Sequence, residues 1–401
     1  MCLPVRKPWD DPRYFFAAPT ISHAKEIAWH RLLSLIPPDW LAGTLRSADA
    51  MEIRSVFGST IQLLSLSSQD RSRIEGRQWD GGVIDESCDI PPGVFDRQIV
   101  PALTWRSGWC WRIGVPKRQG VGALEFRQWH EDNLASDDPT RAGFWWPSRD
   151  ILPPETLEYA KRHLDAADYQ EQFEASFLSA TGGVFFSFSE ANVRPVTYDQ
   201  TKPLVIGCDF NRDPMCWVVC HRYPDRLEVV DELWLRDVTT GGALDVLANR
   251  YASHTGGFEW YCDAAGGQRR TSAETMGKEV VTDLVQILND ARFGNSRLVF
   301  PAVKAAGKRE GNPPVKSRIA ACNSMLKNAA GESRLHIAPH CKRLIEDLKV
   351  RHYKPGTWEP QDSPMVGHMT DALGYVVWPL YSIEKQPTKS VPRPIHLVGA
   401  A

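Results

Sequence analysis

Leu204-Val205-Ile206-Gly207-Cys208-Asp209 is an unbroken apolar run closed by a carboxylate. A run of this length without polar alternation reads as a buried strand, and it constrains the fold more than any other segment of the chain. The sequence around it supplies neighbours. Cys216–His221 and Leu227–Leu233 read as an antiparallel meander turning at Tyr223-Pro224-Asp225. A helix is expected from Gly242 to Ala252, then a strand from Phe258 to Cys262 that ends at Asp263. Further on, Val280–Phe293 reads as helix, Leu298–Val303 as strand, and Ser317–Leu326, Cys341–Leu348 and Met369–Leu380 as helices.

Three strands, a helix, a further strand and then helices make a ribonuclease-H-like order. The first half reads differently. Tyr14–Ala18 is a strand candidate, and Pro19-Thr20 leads into a helix with Ser22 as N-cap and Ile27, Trp29, Leu32 and Leu33 as its apolar face, stopped by Pro37-Pro38. Strands are expected at Ala50–Phe57, Thr60–Leu66, Gly82–Ile84 and Trp109–Val115. Strands alternating with helical segments predict a parallel α/β sheet. A Pro-, Asp- and Trp-rich stretch, Ser136–Pro154, marks a boundary region, and a helical stretch follows from Pro154 to Leu178.

Composition closes off several classes. No apolar run approaches the ~18 residues of a membrane span, and the N-terminus lacks the apolar core of a secretory signal. The nine cysteines are an odd number with no C-x-x-C pair. Several sit in apolar runs (Cys208, Cys216, Cys220, Cys262), which predicts buried reduced thiols in a cytosol. Net charge is −2, yet between Pro301 and Pro355 twelve Lys/Arg stand against four acids, a local excess of +8. A solvated face is the ordinary reading of such a run.

Asp209 and Asp263 each end an apolar strand, and Asp371 lies near the start of a late helix. Singly, each is a cap or turn residue. Together they are the set that two-metal phosphodiester hydrolysis needs, because two Mg²⁺ or Mn²⁺ ions about 3.5–4 Å apart require convergent hard oxygen ligands. His368 lies three residues before Asp371 and shares its helical face, beside the metals or simply at a helix start. Asp213 either reaches the same metals or caps the turn at Pro214, and Glu232 points either way.

Val83-Ile84-Asp85-Glu86 has the pattern of a Walker B strand, with Asp85 for Mg²⁺ and Glu86 to orient the attacking water. Its partner motif, G-x-x-x-x-G-K-[ST], is not found: Gly277-Lys278 and Gly307-Lys308 are followed by Glu279 and Arg309. A competent ATPase is therefore not expected from the chain as given. Trp105, Trp109, Trp111 and Trp145-Trp146 read as core or interface rather than base-stacking residues.

Taken in order, these pieces resemble the large subunit of a tailed-phage DNA-packaging terminase over nearly the whole chain. Phe15–Thr20 with Ala24–Trp29 resembles the segment after the P-loop helix. Arg73–Arg77 with Gly82–Glu86 resembles the Walker B region, and Gly114-Val115-Pro116-Lys117 falls at the coupling motif, with Val115 where a hydroxyl residue is common. Tyr169–Phe173 and Gly183-Val184-Phe185 resemble the linker. Gly207–Phe210, Tyr261–Ala264 and His368–Tyr375 resemble the three nuclease motifs, with Leu344–Leu348 as the helix before the last.

The resemblance implies an α/β chain with an incomplete P-loop-type ATPase domain at 1–150, a connector at 151–195, a ribonuclease-H-like nuclease domain at 196–383 and a flexible tail at 384–401. It implies Asp209, Asp263 and Asp371 as metal ligands, His368 as an assisting residue, and Asp85 and Glu86 as the motor's Mg²⁺ and water-positioning pair. It further implies two Mg²⁺ or Mn²⁺ ions, and ATP in the complete family. The expected partners are double-stranded DNA, a terminase small subunit and a portal protein, in the cytoplasm of a bacterial host and transiently on the procapsid. A truncated frame is expected, from a decayed prophage gene or a misplaced start. The competing readings are an inactive remnant that binds DNA or the portal, and another ribonuclease-H-like enzyme such as a transposase or junction resolvase.

Overall fold

The computed structural model describes residues 9–46, 51–66, 76–118, 120–178, 183–211, 213–264, 275–276, 279–280, 282–301, 311–354, 357, 359–361, 363 and 365–383. Arg73–Glu75, both Gly-Lys pairs, Lys304, Lys308, Arg309 and the tail at 384–401 lie outside them. The chain forms two compact units, one of residues Met1–Ser148 with Glu171–Ser179, the other of Arg149–Gln170 with Ala180–Ala401.

The first unit is built on a six-stranded sheet. Its strands are β1 (Arg13–Ala18), β2 (Leu41–Arg46), β3 (Met51–Ser55), β4 (Thr60–Ser65), β5 (Gly81–Ile84) and β6 (Trp109–Arg112), in the order β2-β3-β4-β1-β5-β6. β4, β1, β5 and β6 are parallel, as the alternation predicts, whereas β2 and β3 are antiparallel. The sheet is therefore mixed. β2 has no alternation to reveal it, and it forms by pairing with β3.

The helix after β1 starts as α1 (Ile21–Ala24), passes through a π-helical turn, Lys25–Trp29, and continues as α2 (His30–Leu35). Its cap is Thr20, not Ser22: Thr20 is extended and its hydroxyl accepts from the His23 N–H at 3.2 Å. The π turn rotates the face, so Ala24, Ala28 and Trp29 are buried and Ile27 is exposed. α3 (Val100–Thr104) and α4 (Ala123–Leu134) follow. α4 buries only Phe126 and Asn133, too little for its periodicity to show in the sequence.

The expected single helix from Pro154 is two, α5 (Pro154–His163) and α6 (Ala166–Phe173). Asp165 interrupts them by accepting from the Ala167 and Asp168 N–H groups, each at 2.9 Å.

The second unit holds β7 (Leu204–Asp209), β8 (Met215–Arg222), β9 (Leu227–Leu235), β10 (Phe258–Cys262), a short antiparallel ribbon of β11 (Thr275–Met276) and β12 (Glu279–Val280), β13 (Ser296–Phe300) and β14 (Leu335–Ile337). The main sheet runs β13-β10-β7-β8-β9-β14. β7, β8 and β9 form the expected antiparallel meander, and β10, β13 and β14 pair parallel to their neighbours. All six residues of β7 are buried.

One face packs Val205 and Val218 against α9 (Val315–Leu326), α10 (Lys342–Val350) and α11 (His368–Tyr381) through Ile319, Leu344 and Val376. The other packs Ile206 and Trp217 against α7 (Thr240–Arg250) and α8 (Asp283–Asn289) through Leu244 and Ile287. α8 is shorter than the 280–293 reading because Thr282 caps it and a 3₁₀ turn, Ala291–Phe293, replaces its end. The eight cysteines among the described residues are free, and all but Cys110 are buried. No helix among the described residues is long and apolar enough to cross a membrane.

Candidate functional site

β7 and β10 lie side by side in register, Cys208 opposite Cys262. Asp209 closes one strand and Asp263 follows the other, tied by an Asp263 N–H to Cys208 carbonyl bond of 2.9 Å. Rigid parallel strands thus deliver two buried carboxylates to one sheet end. α11 crosses β7 closely enough that a Cβ on Gly207 would stand 2.3 Å from the Ala372 carbonyl oxygen. That approach brings the first turn of α11, with His368 and Asp371, to the same end.

His368 Nδ1 lies 3.0 Å from Asp209 Oδ2, and Asn211 Nδ2 donates to that oxygen at 2.6 Å while lying 2.8 Å from the same ring nitrogen. Burial raises the Asp209 carboxyl above its ordinary range. The His368 hydrogen bond opposes this, and the charges of Asp371 and Asp263 add to it. His368 is raised in turn, chiefly by its bond to Asp209.

Asp263 is oriented by Asn312, whose Nδ2 donates to Oδ1 at 2.6 Å and whose Oδ1 accepts from the Ala264 N–H at 2.8 Å. Asp371 is turned to two guanidinium groups, Arg318 at 3.2 Å and Arg351 at 3.1 Å. Among the described residues no three His, Cys, Asp or Glu side chains stand close enough together to hold a metal ion.

The two open candidates lie elsewhere. Asp213 forms a two-pronged pair with Arg236 at 2.8 and 2.9 Å on the surface. Glu232 accepts from the Arg343 and Leu344 N–H groups at 2.9 Å each and so caps α10. Asn312, Arg318, Asp347 and Arg351 are the residues that sequence reasoning misses. Arg318 and Arg351 belong to the basic stretch read as a solvated face, yet they are buried at 7% and 5% exposure. Their only local signal was charge, and their partner lies 20 or more residues away.

In the first unit Asp85 follows β5 and its Oδ1 accepts from the Glu86 N–H at 2.8 Å, with burial raising its carboxyl. Glu86 has a left-handed backbone, φ 52°. Lys117, from the segment after β6, reaches Glu86 at 2.5 Å and Asp89 at 2.6 Å. Arg118 donates through its backbone N–H and side chain to the two oxygens of Glu171 at 2.6 and 2.8 Å, both side chains being buried. Trp109, Trp111, Trp145 and Trp146 line a cavity of about 1120 Å³, and Trp105 is exposed outside it.

Two mixed α/β sheets in succession, the second ribonuclease-H-like with acids at neighbouring strand ends, define the fold class. It is the fold of the phage large terminases. The chain is similar to the large terminase of a thermophilic bacteriophage, with a TM-score of 0.54 at 14% identity, covering 92% of this chain and 86% of that one. The same phage protein in complex with ATP-gamma-S gives a TM-score of 0.52 at 13% identity, covering 92% and 86%. In sequence, the chain is 24% identical over 176 residues to the terminase large subunit of Thermus phage G20c, covering 36% of this chain. The match spans 35% of that relative's length. No family model matches. The resemblance to terminase large subunits is thus present in both fold and sequence.

Proposed function

We propose that the chain is a phage or prophage terminase large subunit whose nuclease domain, over 196–383 within the second unit, is a metal-dependent DNA endonuclease that cuts concatemeric genomes. The observation that carries this is the meeting of Asp209, Asn211 and His368 at a sheet end that also bears Asp263 and the Asp371 turn. The donors are the carboxylate oxygens that hard divalent ions take, although the described side chains do not stand close enough together to hold one as they are. At Asp209 burial and then the charges of Asp371 and Asp263 raise the proton affinity, and a cation would relieve both.

Asp209, Asp263 and Asp371 would hold two Mg²⁺ or Mn²⁺ ions, which supply Lewis acidity to the phosphate and acidity to a bound water. The chain's own residues do the rest. Asn211 and His368 fix the Asp209 carboxylate, and Asn312 fixes Asp263. Water attacks the scissile phosphorus in line, and the 3′-oxygen leaves as a hydroxyl, giving 5′-phosphate ends. Double-stranded DNA is the substrate, with a small subunit and a portal protein as partners, in the host cytoplasm and transiently on the procapsid.

Residues 1–150 form the motor half and 151–195 the connector. Asp85 and Glu86 would hold the nucleotide's Mg²⁺ and its attacking water. Lys117 pairs with Glu86, which opposes a water-positioning role for that carboxylate.

Supercoiled plasmid incubated with the purified chain and Mn²⁺ or Mg²⁺ tests this. We expect nicking and linearisation with 5′-phosphate ends, abolished in Asp209→Asn with DNA binding retained. Cutting by Asp209→Asn, or 5′-hydroxyl ends, would overturn the assignment. A second reading, a catalytically inactive protein that binds DNA or the portal, is favoured by the arginines on Asp371 and Lys117 on Glu86. Its signature is a folded, DNA-binding chain that does not cut with either metal.

A further inference from the structure

We propose that Arg351, with Asp347 one helical turn before it on α10, is a positioning residue that sets the direction of the Asp371 carboxylate and the placement of His368. The proposal rests on the nuclease reading above.

Four bonds run from the Arg351 guanidinium to the first turn of α11: from Nη1 to the Gly367 carbonyl at 3.2 Å, the Thr370 hydroxyl at 2.8 Å and Asp371 Oδ1 at 3.1 Å, and from Nη2 to Asp371 Oδ2 at 3.4 Å. Asp347 takes the same turn from its donor side, accepting from the Gly367 and Met369 N–H groups at 2.9 and 3.1 Å. The last turn of α10 and its C-cap therefore satisfy both the carbonyl and the amides where α11 begins. An aspartate in a first turn ordinarily orients on its own helix's free amides. Asp347 takes two of those amides, and the Asp371 oxygens are held by the arginines.

Arg318 holds it from α9 at 3.2 Å, its guanidinium carbon lying 4.5 Å from the Tyr375 ring centroid, one turn further along α11. Gly367 is left-handed at φ 105°, and a Cβ there would stand 2.9 Å from the Arg351 guanidinium carbon. The glycine is thus what lets the fork sit against the turn. A planar fork can reach several acceptors at once, which an ammonium on a single stem cannot.

The test compares wild type, Arg351→Gln and Arg351→Lys in the full chain. It measures plasmid-cleavage kcat and KM with Mn²⁺, Mn²⁺ binding without DNA by electron paramagnetic resonance, and thermal melting. Loss of an outer partner of a metal ligand typically costs 10–100-fold. Arg351→Gln should therefore lower kcat by about 10–100-fold and weaken Mn²⁺ binding about tenfold, with KM for plasmid within about twofold. Arg351→Lys should recover part of the kcat loss.

A folded Arg351→Gln with kcat and Mn²⁺ binding within twofold of wild type overturns the proposal. So does a kcat loss matched by the fraction of unfolded protein. If Arg351→Gln does not fold, Arg351→Lys decides, and wild-type kcat in it overturns the proposal. A wild type that neither binds Mn²⁺ nor cuts removes the nuclease reading and this proposal together, whereas an active wild type beside an indifferent variant removes this proposal alone.

Discussion

Gly207 has no side chain, and the Ala372 carbonyl occupies the space a Cβ would fill. The position is therefore a steric gate for α11 rather than a flexible joint. Gly207→Ala should lift α11 from β7 and cost about 1–3 kcal/mol, the usual range for overpacking a tight site. A urea-denaturation midpoint unchanged from wild type would refute this.

The same scale shows what the sequence discloses. Asp209 and Asp263 are legible because each closes an apolar run, and strand ends in a parallel arrangement converge without further information. Asp371 is legible through its place beside His368. The residues that orient them are not: Asn312 meets Asp263 across 49 positions and Arg318 meets Asp371 across 53. Such pairings are set by how helices pack, and no local pattern encodes them.

At the scale of elements, the α10–α11 junction buries a carboxylate. Burial pushes the Asp347 carboxyl up to about 6, against the opposing pull of the Gly367 and Met369 amides and the Arg351 charge. A raised folded-state value means that the folded form holds the proton more tightly. The group's contribution to stability is then fully present below about pH 4 and is lost as pH rises through about 6. The loss is on the order of 2–3 kcal/mol for a shift of this size.

Asp347→Asn cannot ionise and keeps one acceptor for the α11 amides. It should match wild type near pH 4 and become relatively more stable toward pH 8. Denaturation midpoints across that range read it, and parallel curves for the two proteins would contradict it. Elements with strong burial patterns, such as β7, β10 and α11, are visible in the sequence. β2, β14 and α4 are not, because pairing or a thin contact holds them in place rather than an amphipathic pattern.

At the scale of the molecule, the first unit is made from two stretches of chain, and Arg118 and Glu171 join them through a buried ion pair. Removing one partner of a buried pair leaves an uncompensated charge and typically costs about 3–5 kcal/mol. Arg118→Ala should therefore lower the melting transition of the first unit and leave that of the second in place. Differential scanning calorimetry separates the two. A fragment ending at Ser148 should melt below one ending at Ser179, since only the longer one contains Glu171. Equal melting of both would show that the return stretch is dispensable.

That return stretch also sets an order of events during synthesis. The ribosome must make residues 149–170 before it reaches the segment that completes the first unit. At about 5–20 residues per second, the N-terminal unit waits roughly 2–6 s beyond Ser148 before Ser179 is made. For the first 23 residues beyond Ser148, about 1–5 s, Arg118 has no Glu171 to meet. The window in which a nascent chain can be captured by a chaperone or degraded is thus written into the path of the backbone.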